Sequence, residues 1–191
     1  VKDINPGSAS SLPTNLCVVG NVLYFAATSP GVGSELWRSD GTSAGTFMVK
    51  DILVGGLGSS PSSMTNVNGT LFFAANDGIS GTELWKSDGT AAGTVLVKDI
   101  NPGSSGSSLR DFVATDSGLF FRASEPTHGY ELWKSDGTAA ATVLVKDINP
   151  GTGNSGTPTT ASPMVYSGGL VFFVANNGPN GNEVWRSDGT E

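Results

Sequence analysis

One string, Glu83-Leu84-Trp85-Lys86-Ser87-Asp88-Gly89-Thr90, recurs at Glu35 to Thr42, Glu131 to Thr138 and Glu183 to Thr190. A second, Val97-Lys98-Asp99-Ile100, recurs at Val1, Val49 and Val145. Trp37, Trp85 and Trp133 lie 48 residues apart, and Trp185 follows 52 further on, so the last unit carries four extra residues within Gly151 to Ala161. A fixed period of this length restricts the chain to stacked or radially repeated units, each burying its apolar face against its neighbour.

One unit reads as four short strands. Met64 to Val67 runs into Asn68-Gly69, a strong two-residue hairpin signal. Thr70 to Asn76 is apolar without alternation, as in a strand covered on both faces. Thr82 to Ser87 carries the Trp, and Thr94 to Ile100 is β-branched and partly alternating. Four antiparallel strands per ~40–50 residues is the blade of a β-propeller. The chain is therefore expected to be all-β, one propeller domain over 1–191, with four blades of four antiparallel strands. Its repeats run approximately 1–48, 49–96, 97–144 and 145–191.

The phasing of the ends predicts that the strand Val1 to Ile4 completes the blade holding Trp185, leaving no unpaired edge. A closed four-blade ring, or half of a larger ring made by a homodimer, both satisfy it. Val1 falls inside a unit and no initiating Met precedes it, which fits a processed chain or a piece of a longer one. Antiparallel order places the Asn68-Gly69 and Asp88 to Gly93 turns at one end of each blade. The longer, more variable loops, Asp77 to Gly81 and Asn101 to Ser108, lie at the other, which is the expected binding rim.

The motif Glu-Leu-Trp-x-x-Asp-Gly-Thr-x-x-Gly-Thr is complete at Glu35 to Thr46 and Glu83 to Thr94. It departs by Ala141 in the third copy and by Val184 in the fourth. With the following Val-Lys-Asp-Ile run it resembles the bacterial ELWxxDGT-repeat proteins over essentially the whole chain. That resemblance implies a secreted or cell-surface protein with no assigned activity.

Composition narrows the function. The net charge is -7, and the ten Lys and Arg are spread along the units, so no basic stripe exists for nucleic acid. No apolar run reaches the ~18 residues of a membrane span. Cys17, the single cysteine, excludes an intrachain disulfide and reads as a small strand residue. Trp37, Trp85, Trp133 and Trp185 are expected between blades, with a ring of sugar-stacking platforms as the functional alternative. Asp40, Asp88, Asp136 and Asp188 are expected to fix their own hairpins. Glu35, Glu83, Glu131 and Glu183 are expected to pair with Lys50, Lys98, Lys146 or Lys2 across strands. Pointing inward, they would instead form an acidic ring. Calcium is the one cofactor the loops suggest, with Asp77, Asp99 and Asp147 as candidate ligands, although no EF-hand spacing is present.

Gly151-x-Gly153-x-x-Gly156 has the letters of a dinucleotide fingerprint, but no helix can follow Thr157-Pro158. His128 stands alone, without a second His or Cys for zinc or a recurring Ser/His/Asp set. The expectation is a non-enzyme: a non-catalytic extracellular or cell-surface scaffold binding a protein or glycan on the longer-loop rim. A carbohydrate-binding lectin is the alternative, and a propeller lyase or glycoside hydrolase stands behind it.

Overall fold

The computed structural model describes residues 1–156 and 163–190; the four-residue insertion of the last unit lies partly outside them. Among the described residues the chain is all-β, and no helix is long and apolar enough to cross a membrane. The first sheet holds β1 (Thr14–Val19), β2 (Val22–Ser29), β3 (Gly33–Ser39) and β4 (Phe47–Lys50). The second holds β5 (Ser62–Val67), β6 (Thr70–Asn76), β7 (Thr82–Ser87) and β8 (Val95–Lys98). The third holds β9 (Arg110–Thr115), β10 (Gly118–Glu125), β11 (Gly129–Ser135) and β12 (Val143–Lys146). The fourth holds three described strands, β13 (Val165–Ser167), β14 (Leu170–Asn176) and β15 (Asn182–Ser187). Within each sheet the strands are antiparallel and in sequence order. The innermost strands pack in succession, β1 on β5, β5 on β9 and β9 on β13. This is the four-blade propeller arrangement.

Local chemistry explains the blades. Asn68 and Gly69 both adopt positive φ, 51° and 86°, which a two-residue hairpin of this twist requires. The second strands are buried on both faces because each blade is sandwiched: β6 reads Leu71, Phe72, Phe73, Ala74 and Ala75, all buried. Trp37, Trp85 and Trp133 are 7% exposed. Trp85 packs with Tyr24, Leu36 and Val49 of the first blade, and Trp133 with Phe72, Leu84 and Val97 of the second. Each Trp therefore seats its blade on the preceding one, where burial of so large a ring contributes most.

The expectation that Val1 to Ile4 complete the fourth sheet is corrected by these contacts. The segment forms no strand, and among the described residues β15 has β14 as its sheet neighbour and no other. Instead it lies on the first blade, as the outer strand of a preceding blade would. Lys2 Nζ donates to the Thr46 carbonyl at 3.0 Å, just as Lys50 donates to Thr94 and Lys98 to Thr142. Ile4 packs against the Phe25, Ala27 and Trp37 cluster. Among the described residues the fourth sheet thus lacks the outer strand that β4, β8 and β12 give the other three. In that sheet β14 alternates between buried and exposed residues, and Val184 is 77% exposed where Leu36, Leu84 and Leu132 are buried.

Candidate functional site

The recurring motif builds the rim of longer loops rather than a reaction centre. Glu83 is fully buried. Its carboxylate accepts from Ile100 N–H at 3.0 Å, Asn101 N–H at 3.3 Å and the Ser107 hydroxyl at 2.7 Å. Glu35 accepts equivalent bonds from Ile52, Leu53 and Ser59, and Glu131 from Ile148, Asn149 and Ser155. Among the described residues the expected Glu–Lys pairs do not form: Lys2, Lys50 and Lys98 reach the next blade's turn carbonyls, while the buried loop N–H groups need an acceptor. Nor do these buried carboxylates form an acidic ring. Burial pushes the Glu83 carboxyl up to about 7, opposed by its three donors and reinforced by the nearby Asp99 carboxylate.

At the opposite rim Asp88 Oδ1 accepts from the Thr90 N–H at 2.9 Å and the Thr90 hydroxyl at 2.8 Å. Asp40, Asp136 and Asp188 do the same for Thr42, Thr138 and Thr190. These bonds to the ionised form hold the four carboxyls below their usual range.

What repeats cannot distinguish one blade from another, and the third blade differs. Arg122 replaces the small apolar residues Ala26, Ala74 and Val174 of the other second strands. Its side chain is 2% exposed and lies 3.8 Å from the Asp111 carboxylate, itself 8% exposed. It donates to the Val174 carbonyl of the fourth blade and stands over the Phe173 ring at 5.9 Å. A Cβ on Gly156 would meet its guanidinium, which would have to shift, so the loop crosses close over Arg122. Tyr130 is 1% exposed, and among the described residues its hydroxyl has no hydrogen-bond partner. Burial, with Asp111 nearby, pushes that phenol up to about 12. Burial also raises the Asp111 carboxyl, with Arg122 and Arg110 opposing. Asp111 sits at φ 56°, beside the irregularity where β9 leaves register with β10.

That kink delivers Arg110 to the surface. Arg110 stands where Thr14 and Ser62 stand in the first two blades and is exposed, and its side chain makes no hydrogen bond or ion pair among the described residues. It borders a cavity of about 430 Å³ at the junction of the second and third blades, lined also by Thr82, Ser105, Ser108 and Leu109. Strand direction places this cleft on the longer-loop rim. The Glu125–His128 pair closes a hairpin on the same rim of the third blade. Glu125 accepts from Thr127 N–H at 2.8 Å and His128 N–H at 2.7 Å, as Asp77 does from Ile79 and Ser80. The carboxylate also holds His128 Nδ1, which leaves Nε2 as a proton-transfer position on a 40% exposed side chain.

Among the described residues no three His, Cys, Asp or Glu side chains lie close enough to share a metal ion. Asp77 forms its own turn, while Asp99 and Asp147 each keep one buried oxygen without a hydrogen-bond partner, in separate blades. Cys17 is half-buried against the core of the first two blades, and burial raises its thiol pKa. Gly151 to Gly156 forms bends with no helix.

No family model matches the chain, and no curated protein is significantly similar to it. Among solved structures it is similar to puromycin hydrolase, with TM-score 0.58 at 18% identity, over 93% of this chain and 27% of that one. The S511A mutant of that hydrolase complexed with PGG gives TM-score 0.61 at 18% identity, over 94% and 27%. The computationally designed Ika8 protein gives 0.51 at 16% identity, over 98% and 49%. The chain thus spans about a quarter of the hydrolase and about half of Ika8. Likeness at this identity establishes the fold. It also corrects the expectation of a non-catalytic scaffold: a natural protein sharing this arrangement is a hydrolase, so a regularly repeating propeller and a single histidine give no ground for excluding an enzyme.

Proposed function

We propose that the chain is the propeller portion of a hydrolytic enzyme and that it holds an anionic, carboxylate-bearing part of the substrate at the rim cleft between the second and third blades. The observation that carries this reading is Arg110. Six of the ten cations of this acidic chain are tied down, Lys2, Arg38, Lys50, Lys98 and Lys134 on carbonyls and Arg122 inside the third blade. Arg110 has its fork free at a cleft walled by hydroxyls. A guanidinium meets a carboxylate with two parallel hydrogen bonds, while hydroxyls can serve either polarity of neighbouring group. His128, oriented by Glu125, is the proton-transfer group this rim offers. The fold likeness to a hydrolase supports the reaction class.

The test is an NMR titration that follows the Arg110 guanidinium and the Thr82, Ser105 and Ser108 amides with acetate, a free tripeptide and its C-terminal amide. Saturable shifts are expected for the two carboxylates, with the amide weaker by about tenfold, the ~1.4 kcal/mol of one charge-assisted contact. Arg110→Ala should remove the difference. Equal response to peptide and amide, or none at the cleft, contradicts the reading.

A further inference from the structure

The loops of the longer rim carry three apolar side chains that the blades do not bury. Val54, Leu57 and Ile79 are 84%, 86% and 79% exposed. All three depart from the repeat. Val54 and Leu57 stand where Pro102 and Ser105 stand in the next loop, and Ile79 stands where Gly31 and Thr127 stand. The Val54 loop also gives up a clamp that its counterparts keep. Asn101 Nδ2 donates to the Gly106 carbonyl at 2.6 Å, and Asn149 Nδ2 to the Asn154 carbonyl at 3.1 Å. Leu53 occupies that position and cannot donate. A hydrogen bond has been exchanged for apolar surface facing water, which stability does not favour and binding does.

Contacts between loops join this surface to the Arg110 cleft. A Cβ on Gly78 would stand 2.6 Å from Leu53 Cδ1, so the Val54 loop and the Ile79 turn touch. A Cβ on Gly81 would stand 2.7 Å from the Ser104 carbonyl oxygen, so the same turn touches the loop that lines the cleft. Asp77 Oδ1 accepts from Ile79 N–H at 2.8 Å and Ser80 N–H at 2.7 Å, which fixes the turn that presents Ile79. Ile79 is three residues from Thr82, a wall of the cleft, and so at most about 11 Å from it. Two residues of extended peptide cover about 7 Å, and side chains reaching from both sides span the rest.

We infer that Ile79 and Val54 form an apolar ledge for the side chain third from the carboxyl end of a peptide whose terminal carboxylate lies on Arg110. The substrate class is then a peptide with a free carboxyl end and an apolar residue two places before it. This rests on the carboxylate reading of the cleft. A peptide is the occupant specified, because the ledge continues into a cleft of hydroxyls with one free guanidinium, at a separation that matches two residues of extended chain. Leu57, in the same loop as Val54, carries the apolar surface on toward Gly33 of the first blade.

The experiment follows the Val54, Ile79, Thr82 and Ser108 amides by NMR while the 191-residue chain is titrated with triglycine, with leucyl-glycyl-glycine and with the C-terminal amide of the latter. Leucyl-glycyl-glycine should bind about tenfold more tightly than triglycine, as partial burial of one leucine side chain gives. It should shift Val54 and Ile79, which triglycine leaves in place. Ile79→Ser combined with Val54→Ser changes only exposed side chains, so circular dichroism and triglycine binding should be unchanged while the leucine preference disappears. Arg110→Ala should weaken both peptides alike. Equal binding of the two tripeptides, or a leucine preference that survives the double substitution, overturns the inference and leaves the cleft reading standing. A leucine preference indifferent to Arg110→Ala and to the amide overturns the carboxylate reading, and with it the placement of the ledge. No saturable shift with either tripeptide overturns both. Shifts at Val54 and Ile79 that grow with protein concentration in the absence of peptide would assign the ledge to a second copy and overturn the inference as well.

Discussion

At the scale of single residues, the repeat spends its most costly side chain on loops. A buried carboxylate is tolerated only when its oxygens are satisfied, and Glu83 accepts three donors that would otherwise be buried unpaired. The raised carboxyl has a sign that can be measured. The folded state holds the proton more tightly than the unfolded chain, whose carboxyl titrates near 4.5. This contribution to stability is fully present below about pH 4.5 and is lost as pH rises through about 7. Urea midpoints should therefore fall between about pH 5 and pH 8, and Glu83→Gln should flatten that slope, leaving the share of Glu131, which is raised in the same direction. The four hairpin aspartates act oppositely, their support being lost only as pH falls through their lowered values, outside this window. A slope of the other sign would place Glu83 in a polar setting. The sequence announced that Glu83 matters, through its recurrence, but not how. Its partners Ile100, Asn101 and Ser107 lie 17 to 24 residues away, and only the folded blade brings them together.

At the scale of elements, β6 and β7 have the limits their sequence predicts, because Asn68-Gly69 and Asp88-Gly89 are unambiguous stops. β5 begins earlier than the apolar run, at Ser62, since its first residues pair through an irregularity with Ser63 at φ 52°. Side-chain pattern carries no sign of such a kink. The Trp strands give a graded expectation. Trp133 is 7% exposed, paired with Leu144 on β12 and packed on the second blade, so Trp133→Ala should cost about 3–5 kcal/mol in urea unfolding. Trp185 lacks an outer strand and is half-buried, so Trp185→Ala in single-chain material should cost less than half as much. Equal losses would mean the fourth blade is as covered as the third.

At the scale of the whole molecule, the period gave away the propeller, and the phase of the ends invited a closed ring. Phase cannot reveal closure, because the same offset arises in any window of a longer array; the decision lies in whether Val1 to Ile4 pair with β15, and among the described residues β15 pairs with β14 alone. The longer-loop rim was legible from antiparallel order. The third-blade cluster was legible only as departures from the repeat, at Arg110, Asp111, Arg122 and Tyr130, which a search for recurring motifs passes over. The site differs from the scaffold in what its loss should do. A scaffold residue such as Glu83 holds the fold, whereas the Arg110 side chain holds no buried group by a hydrogen bond or ion pair among the described residues.

The unfolding free energies of Arg110→Ala and Glu83→Ala, measured side by side in urea, test that division directly. Arg110→Ala should stay within about 0.5 kcal/mol of wild type, as surface changes do. Glu83→Ala should lose about 3 kcal/mol or more, for three buried donors left without an acceptor. If Arg110→Ala is as destabilising as Glu83→Ala, Arg110 belongs to the scaffold and the rim cleft is not a binding site.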